Sequence, residues 1–282
     1  MGTLFLVATP IGNLEDISMR GLRVLREAVL IAAEDTRQTR KLLKRYEITT
    51  PAVSYHEHNK LSRVNEILDA LGRGDVALVS DAGMPGLNDP GFELVGAALA
   101  QGFPVSAVPG PSAPVMALVI SGLPTDAFLY LGYLPRKKAE RRQRLSEAAE
   151  QPYTLIFLET PHRLVEALDD IETVLGNRPM AVARELTKLH EEVFRGTVRE
   201  ARAHFTANEP RGEFTLVVAG KTAQQEGPWS EDKLVEALQE GIREGRPQSQ
   251  IASAVAERSG WQRRDVYRKI IELKQAGDGN ES

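Results

Sequence analysis

Two loops rich in glycine and proline, each directly after a short apolar segment, constrain this chain more than any other sequence feature. The first segment reads DVALVS and runs into DAGMPGLNDPG, and the second reads FPVSAV and runs into PGPSAP. Glycine lets backbone approach a ligand closely, and proline fixes the shape of a loop in advance. In open α/β sheets, ligands bind beyond the carboxyl ends of strands, where such loops gather. The two loops therefore predict one small-molecule cleft.

Standard nucleotide-binding motifs do not account for these loops. No G-x-G-x-x-G follows a predicted strand, so a standard dinucleotide fold is not indicated. Gly220-Lys221-Thr222 resembles the end of a P-loop, but Thr215 stands where that motif requires its first glycine. The alternative is that residues 81–91 form a plain surface loop, and the length and stiffness of the segment argue against it.

The alternation of strand-like and helical segments predicts an α/β fold. In the first 120 residues this alternation is typical of a mostly parallel sheet with helices on both faces. Strands are predicted at 3–8, 29–33, 52–55 and 76–80, with a fifth ending at 108, and helices at 18–28, 39–46 and 62–71.

A second unit is predicted to begin near Gly122-Leu123-Pro124. Strands are expected there at 127–132, 153–158, 180–184, 191–196 and 213–219, with helices at 138–149 and 161–175. The chain is thus predicted to have two α/β domains and a helical appendage. The N-terminal α/β domain spans 1–122, the smaller second α/β domain spans 123–222, and the appendage spans 228–275. Residues 224–228, QQEGP, have the composition of a linker.

The appendage has the pattern of two short helices, at 248–257 and 265–273, around the turn Ser259-Gly260. This arrangement is typical of a helix-turn-helix. A small packing domain with a solvated basic face is the alternative interpretation.

Composition excludes several classes of chemistry. The chain has no cysteine, which removes disulfides, thiolate zinc sites and cysteine nucleophiles and fits a reducing cytoplasm. No apolar run is long enough to span a membrane, and the apolar start lacks the basic region of a signal peptide. His56 and His58 flank Glu57, but no third ligand has metal-binding spacing, so no metal is expected. The net charge of −4 means that any nucleic-acid contact must come from local basic patches.

Six motifs place the chain beside a known family. In order they read VATPIGNLEDIS, AEDTR, SDAGMPGLNDPG, VPGPSA, LETPHR and RELTKLHEEVFRGT. With these motifs the chain resembles, over residues 3–220, the bacterial small-subunit rRNA 2′-O-methyltransferases, which have the tetrapyrrole methylase fold of class III S-adenosylmethionine enzymes. Porphyrin and diphthine methylases of this fold usually carry G-x-G-P-G-D after the first strand. This chain has ATPIGNLED from Ala8 to Asp16 instead, which points away from a tetrapyrrole substrate.

The resemblance implies S-adenosylmethionine as cofactor and transfer of its methyl group to the ribose 2′-hydroxyl of cytidine 1402 in 16S rRNA. It also implies the small ribosomal subunit as partner, a homodimer, a cytoplasmic location and no membrane association. Asp81 has an alternative role as a cap of the following turn. The cofactor contacts that the resemblance implies are Pro10, Asp81, Ala82, Gly83, Met84, Pro85, Pro109, Gly110, Pro111, Ser112, Ala113, Leu158 and Glu159.

A ribose hydroxyl is a poor nucleophile, so catalysis depends on in-line alignment of the reacting atoms and on loss of a proton. Strand ends supply the candidate proton acceptors, and the sequence does not choose among them. A lysine can serve if burial lowers its pKa. The candidates are Asp35, Glu159, His162, Glu185 and Lys188, of which Asp35, Glu185 and Lys188 are taken as the catalytic set.

A basic segment over 136–144 predicts RNA contacts, because phosphates dominate RNA affinity. It carries six cations in nine residues, and Tyr130 and Tyr133 precede it as residues that could stack on a base. The alternative is that the segment is only a solvated helix face. The predicted RNA-binding residues are Arg136, Lys137, Lys138, Arg141 and Arg142.

Two rival functions remain at this point. One is a methylase that acts on a small molecule or a protein, and the other is a nucleic-acid-binding regulator that retains an inactive methylase fold. The basic segments, the helix-turn-helix pattern and the missing G-x-G-P-G-D favour RNA over a small molecule. The intact glycine and proline loops argue against an inactive fold.

Overall fold

The computed structural model describes residues 1–57, 59–221, 229–259 and 261–278. The chain divides into two compact units, Met1–Gly220 and Lys221–Ser282. The predicted linker at 224–228 and the predicted turn residue Gly260 lie outside the described residues. Within the described ranges, no helix is both long enough and apolar enough to cross a membrane.

The first unit begins with a five-stranded sheet in which every neighbouring pair is parallel. The strand order is β3-β2-β4-β1-β5. All four residues of the central strand β4 are buried, as expected for a parallel sheet covered on both faces. This confirms the α/β class predicted from the alternation of segments. The strands are β1 (Leu4–Val7), β2 (Leu30–Ala33), β3 (Ala52–Ser54), β4 (Val76–Val79) and β5 (Val105–Val108).

Four helices cover this sheet, two on each face. The connections from β1 to β2 and from β2 to β3 run in one direction across the sheet, so their helices α1 and α2 share a face. Alternate strand residues divide between the faces: Ile31 packs in the core under α1 and α2, and Ala32 in the core under α3 and α4. The helices are α1 (Met19–Glu27), α2 (Thr36–Arg45), α3 (Lys60–Leu71) and α4 (Phe92–Ala100).

Side-chain caps fix the starts of α1 and α2. Ser18 Oγ accepts a hydrogen bond from the Gly21 backbone N at 3.0 Å, and Asp35 Oδ1 accepts one from the Arg37 backbone N at 2.8 Å. Each cap satisfies a backbone N–H that the helix itself leaves without a partner. Asp35 is the second residue after β2, so this cap places the start of α2 at the carboxyl edge of the sheet.

The second sheet of this unit is mixed. Its order is β6-β7-β10-β8-β9, with β6 and β7 parallel and the other neighbouring pairs antiparallel. Helix α5 (Ala113–Ser121) packs on one face, and α6 (Lys138–Ala148), α7 (Leu164–Leu175) and α8 (Val198–Ala207) cover the other. The strands are β6 (Phe128–Tyr133), β7 (Thr154–Glu159), β8 (Pro179–Arg184), β9 (Glu192–Thr197) and β10 (Phe214–Val218).

The second unit is helical and has a core of its own. It contains α9 (Glu231–Arg243), α10 (Gln248–Ser259) and α11 (Arg263–Asp278). Leu238, Ile251 and Ile270, one from each helix, meet in a buried cluster. Trp261 Nε1 donates a hydrogen bond to the Trp229 carbonyl oxygen at 2.8 Å.

Candidate active site

A cleft of about 370 Å³ lies between the carboxyl edge of the first sheet and one end of the second. Its walls carry apolar groups that include Met84, Leu87 and Leu158. Its charged lining residues are all acidic, and none of the described residues that line it is a lysine or an arginine. The acidic residues are Glu34, Asp81, Asp89 and Glu213.

A backbone bridge joins the loops that follow β1 and β4. The Thr9 N–H donates to the Gly83 carbonyl at 2.9 Å, and the Gly83 N–H donates to the Thr9 carbonyl at 3.0 Å. Thr9 Oγ1 also donates to the Ser80 carbonyl at 3.1 Å. Gly83 has φ +78°, a left-handed conformation that favours glycine. Both polar backbone groups of Gly83 bind Thr9. Gly83 therefore contributes to a binding site through the shape of the loop and by letting a ligand approach the backbone closely.

A reciprocal clasp joins the ends of β2 and β4. The Asp35 N–H donates to Asp81 Oδ1 at 3.0 Å, and the Asp81 N–H donates to Glu34 Oε2 at 3.1 Å. Burial raises the pKa of Asp81, and the nearby Glu34 charge adds to that rise. The Asp81 side chain thus binds the residue after the neighbouring strand β2, and does not cap its own turn as the alternative interpretation expected.

Asp89 stands out among the acidic residues of the cleft. Burial raises its pKa to about 6, the charges of Glu34 and Asp81 act in the same direction, and a hydrogen bond with Ser80 opposes them. A carboxylate with this pKa is mostly ionised at neutral pH but binds a proton far more readily than an ordinary aspartate.

The loop between β4 and α4 contacts the second sheet through Asn88. A Cβ atom built on Gly132 would lie 2.4 Å from Asn88 Nδ2, so a larger residue there would displace this side chain. Gly132 follows the bulge of β6 and has φ +64°. The same strand brings Tyr130 and Tyr133 into the cleft. Burial raises the pKa of Tyr130 to about 12, which keeps its hydroxyl a hydrogen-bond donor.

The predicted cofactor contacts divide into two groups. The residues that line the cleft are Asp81, Ala82, Gly83, Met84, Ser112, Ala113 and Leu158. The remainder lie in the same loops and strands but outside the described lining, and Pro10 lines a small neighbouring groove together with Asp81. Gly110 has a packing role, since a Cβ there would lie 2.9 Å from the Ala8 Cβ. The predicted contacts outside the lining are Pro10, Pro85, Pro109, Gly110, Pro111 and Glu159.

The side chain of Glu159 is committed inside the protein. The residue is 2% exposed, its Oε1 pairs with Arg163 Nη2 at 3.0 Å, and its Oε2 accepts from the Thr160 N–H at 2.8 Å. Burial raises its pKa, opposed by the Thr160 hydrogen bond and by Arg163. This buried ion pair leaves the Glu159 carboxylate unavailable to a substrate proton, whereas a contact between the cofactor and this strand end stays a prediction.

The three predicted catalytic residues are held in ion pairs, so the structure does not support them as bases. Hydrogen bonds from Arg37 lower the pKa of Asp35 to about 2. Lys188 Nζ lies 2.9 Å from Glu185 Oε1 and 3.1 Å from Glu213 Oε2. Burial opposes the charged forms, but this network outweighs it, so the pKa of Glu185 is lowered and that of Lys188 is raised. A lysine that acts as a base needs a lowered pKa, so the raised pKa of Lys188 contradicts its predicted role as a base.

Glu185 and Lys188 nevertheless sit beside the cleft, because Glu213 lines it. Their loop, 185–191, also contacts the loop after β1: Thr187 Oγ1 accepts a hydrogen bond from the Asn13 N–H at 3.1 Å. Glu185 and Thr187 have φ +51° and +65°, which is strained backbone for residues other than glycine. These contacts give the pair a role in shaping the end of the cleft.

The basic segment is used differently from the prediction. Arg141 is 2% exposed, and its Nε lies 2.7 Å from Asp170 Oδ2. Arg142 Nε lies 2.6 Å from the other oxygen of Asp170. The prediction that Arg141 contacts RNA is therefore wrong, because its guanidinium is buried in a structural ion pair between α6 and α7. Arg136, Lys137 and Lys138 are exposed and Arg142 is partly exposed, and the RNA contacts of these four residues stay predictions.

No group of three or more His, Cys, Asp or Glu residues among the described side chains could hold a metal ion. His58, one of the two histidines considered above, lies outside the described residues.

Sequence reasoning missed several residues of the cleft. Asn88 and Asp89 belong to the loop at 81–91. Their position directly before Pro90-Gly91 could have identified them as residues of the cleft. Glu34 stands directly before a residue that was predicted. Glu213 and Phe214 reach the cleft only because β10 lies in the middle of the second sheet, which no local signal shows.

A parallel sheet and a mixed sheet around a cleft of glycine and proline loops define the class of the tetrapyrrole methylases. The family model of the Tetrapyrrole (Corrin/Porphyrin) Methylases matches residues 3–202, and the chain belongs to this family. A solved structure of the same fold is uroporphyrin-III C-methyl transferase from Thermus thermophilus in complex with S-adenosylhomocysteine. It has a TM-score of 0.53 and 20% identity, and the match covers 77% of this chain and 97% of that one.

Curated relatives are more specific. A Synechocystis protein named ribosomal RNA small subunit methyltransferase I is 47% identical over 98% of this chain and 100% of its own length. A Thermotoga maritima protein of the same name is 49% identical over 78% of this chain and 100% of its own length.

Proposed function

We propose that this protein is an S-adenosylmethionine-dependent methyltransferase that methylates a ribose 2′-hydroxyl of 16S rRNA in the small ribosomal subunit. The observation that carries the proposal is the acidic, glycine-lined cleft in a chain that shares 47% identity with a ribosomal RNA small subunit methyltransferase I. The missing G-x-G-P-G-D motif supports an RNA over a tetrapyrrole acceptor.

The residues of the cleft fit this cofactor. S-adenosylmethionine carries a sulfonium and an ammonium group, and four carboxylates with no lysine or arginine among the described lining residues favour a cation. The volume of about 370 Å³ lies in the usual range of ligand pockets. The loops at 81–85 and 109–113 and the end of β7 at Leu158 would hold the molecule. When bound, it supplies an electrophilic methyl group.

Asp89 is the residue best suited to accept the proton that the ribose hydroxyl loses. It lines the cleft, and its raised pKa brings it closer to the operating pH than Asp35 or Glu185. Tyr130 and Tyr133 stand in the same cleft as neutral donors that can orient the acceptor ribose or base.

The resemblance supports three finer statements that we include in the proposal. The target is cytidine 1402, the active form is a homodimer, and the enzyme works in the bacterial cytoplasm. Mass mapping of 16S rRNA from cells with and without the gene for this chain tests the first statement, and sedimentation of the purified protein tests the second.

Transfer of tritium from methyl-labelled S-adenosylmethionine tests the activity itself. Purified protein is incubated with small ribosomal subunits, with deproteinised rRNA or with tetrapyrroles, and each product is counted. We expect label in 16S rRNA and a ribose methyl group in the mapped fragment. Label in the tetrapyrrole would support the small-molecule alternative, and no label in any product would support an inactive fold.

A further inference from the structure

Helices α1 and α2 carry a concentration of positive charge that the function assigned so far does not use. Residues 19–46 contain eight arginines and lysines and three acidic residues, although the whole chain has a net charge of −4. All eight cations are exposed, and the two helices pack on the same face of the first sheet. The α1/α2 basic surface consists of Arg20, Arg23, Arg26, Arg37, Arg40, Lys41, Lys44 and Arg45.

Most of this charge is not neutralised within the protein. Among the described residues, Arg23 pairs with Glu27 and Arg37 with Asp35, and none of the other six makes an ion pair. Arg20 and Arg26 donate to backbone carbonyls, those of Ala107 at 2.8 Å and Tyr46 at 3.2 Å. Such bonds hold a guanidinium in place and leave its charge available to a phosphate.

The surface reaches the edge of the cleft. The N-cap residue of helix α2 is Asp35, whose N–H donates a hydrogen bond to Asp81 Oδ1 in the cleft. Lys41 and Asp81 line the same small groove beside Pro10. From Arg37 to Lys44 the helix axis rises about 10 Å, so a row of cations leads away from the groove. The acidic cleft suits a small cation, and the basic surface next to it suits a polyanion.

The segment at 136–144 makes a useful contrast. Among its described side chains, Arg141 and Arg142 share Asp170, Lys137 pairs with Glu140 and Arg144 pairs with Glu147. Two of its six cations are thus without an ion pair there, against six of eight on α1 and α2. Most cations of the segment 136–144 therefore form ion pairs within the protein, although this segment is the most visible run of positive charge in the sequence.

We propose that the α1/α2 basic surface binds the phosphate backbone of the rRNA and leads the strand to the cleft. This proposal rests on the proposed rRNA methyltransferase function. Phosphate contacts provide affinity and register without reading sequence, and their strength falls as salt rises. A concentrated positive patch also speeds the first encounter with a polyanion.

The test compares two variants with the same change of charge. The first is Arg40→Gln/Lys41→Gln/Lys44→Gln on α2. The control is Arg73→Gln/Arg199→Gln/Arg211→Gln, three exposed arginines elsewhere on the same unit. The probes are deproteinised small-subunit rRNA and whole small ribosomal subunits, with dissociation constants measured at several salt concentrations. Calorimetry with S-adenosylmethionine and the melting temperature report on the cleft and the fold.

We expect the α2 variant to bind rRNA about 10-fold to 100-fold more weakly at low salt, because each phosphate contact contributes about −0.9 to the slope of log K against log salt. That slope should become shallower by about 2 to 3. Cofactor affinity and melting temperature should match those of the wild type. The control variant should retain both rRNA affinity and salt slope.

Each remaining outcome overturns the proposal. If the wild type methylates rRNA and the α2 variant binds it no worse than the control does, the surface is not used while the function stands. If the α2 variant loses affinity only for whole subunits, the surface meets a ribosomal protein instead of RNA. If the wild type neither binds nor methylates rRNA, the proposed function fails together with the surface.

Discussion

Asp35 and Asp89 are two aspartates at the same edge of the first sheet, and their surroundings move their pKa values in opposite directions. Arg37 donates hydrogen bonds to Asp35 and lowers its pKa to about 2, whereas burial and neighbouring carboxylates raise that of Asp89 to about 6. Divergence of this kind assigns roles: the residue with the low pKa stays ionised as a structural group, and the other can exchange a proton.

The methyl-transfer rate should therefore depend on Asp89 and on pH. In the wild type the saturated rate should rise as pH increases through about 6, where Asp89 loses its proton. Asp89→Asn should lower the rate by about 100-fold or more, the usual contribution of a general base, and should remove that pH dependence. Single-turnover rates between pH 5 and 8 measure both. A variant with the wild-type rate and profile would remove Asp89 from the mechanism.

The same substitution should change stability in a pH window. The pKa of Asp89 rises from 3.8 to about 6 on folding, so folding stability is fully present below pH 4 and is partly lost as pH rises through 6. Asp89→Asn should therefore raise the free energy of unfolding by about 1–2 kcal/mol at pH 7, after allowance for solvent screening, and by little at pH 4. Urea titrations at the two pH values check this, and an equal effect at both would contradict the shift.

Gly83 is a residue at which we expect the cleft to be sensitive to substitution. Gly83→Val places a β-branched residue at φ +78°, and the left-handed conformation costs roughly 1–2 kcal/mol for an ordinary residue. Its side chain also enters the space between Ile11 and Pro111. Calorimetry should show loss of S-adenosylmethionine binding, with secondary structure retained by circular dichroism.

The matched control is Gly96→Ala in α4, where an added Cβ meets nothing within 4 Å. It should stabilise the protein by about 0.5–1 kcal/mol and leave cofactor affinity unchanged. Unaltered binding by Gly83→Val would mean that the cofactor lies elsewhere.

Among the elements, α6 depends on α7 through a buried charge. Arg141→Ala should destabilise the protein by about 3–5 kcal/mol, because it leaves the Asp170 carboxylate with a buried charge and one partner fewer. Lys138→Ala, on the exposed side of the same helix, should change stability by about 0.5 kcal/mol or less. Thermal and urea unfolding compare the two. An Arg141→Ala protein as stable as the wild type would show that the ion pair contributes little.

The elements themselves were largely predictable from the chain. Most strands are apolar runs bounded by turn residues, and all ten were expected within a few residues of their positions. Helices α8 and α4 were not predicted. Helix α8 follows β9 without a loop, although its capping box between Thr197 and Glu200 was a readable signal. Helix α4 has Gly91 as its N-cap residue and therefore no side-chain cap, and its apolar sequence has no amphipathic pattern.

The cleft was predictable mainly where the loops rich in glycine and proline supply it, as at Ser112 and Ala113 in the second loop. Residues 81–84 were identified because glycine and proline mark the loop by themselves. The position of Glu213 and the burial of Arg141 depend on partners that are distant in sequence. Lys188, the partner of Glu213, is 25 residues away from it, and Asp170, the partner of Arg141, is 29 residues away. A run of cations looks the same in a sequence whether it faces solvent or a buried carboxylate.

At the scale of the whole molecule, the two units should be separable. The helical unit has its own core, and Met1–Gly220 contains both sheets and the entire cleft. These 220 of 282 residues make up 78% of the chain, the same share that the full-length Thermotoga maritima relative matches. A chain that ends at Lys221 should therefore fold and bind S-adenosylmethionine, which circular dichroism and calorimetry measure.

We predict that the helical unit helps to dock the ribosomal substrate and takes no part in the methyl-transfer site. Its loss should weaken binding of small subunits and leave the single-turnover rate at saturating subunits within about threefold, a change of less than 1 kcal/mol in the barrier. A large fall in that saturated rate would mean that residues 222–282 help to shape the active site.

The bridge between Thr9 and Gly83 and the clasp between Glu34 and Asp81 have a consequence for the thermodynamics of binding. Both form within the protein alone, so the loops reach their binding shape during folding, and a ligand need not order them. The amide hydrogens of Thr9 and Gly83 should then exchange slowly with solvent whether or not S-adenosylmethionine is present. Affinity in this cleft is thus coupled to local stability, and a substitution that opens the bridge weakens binding through lost preorganisation even when every contact atom remains.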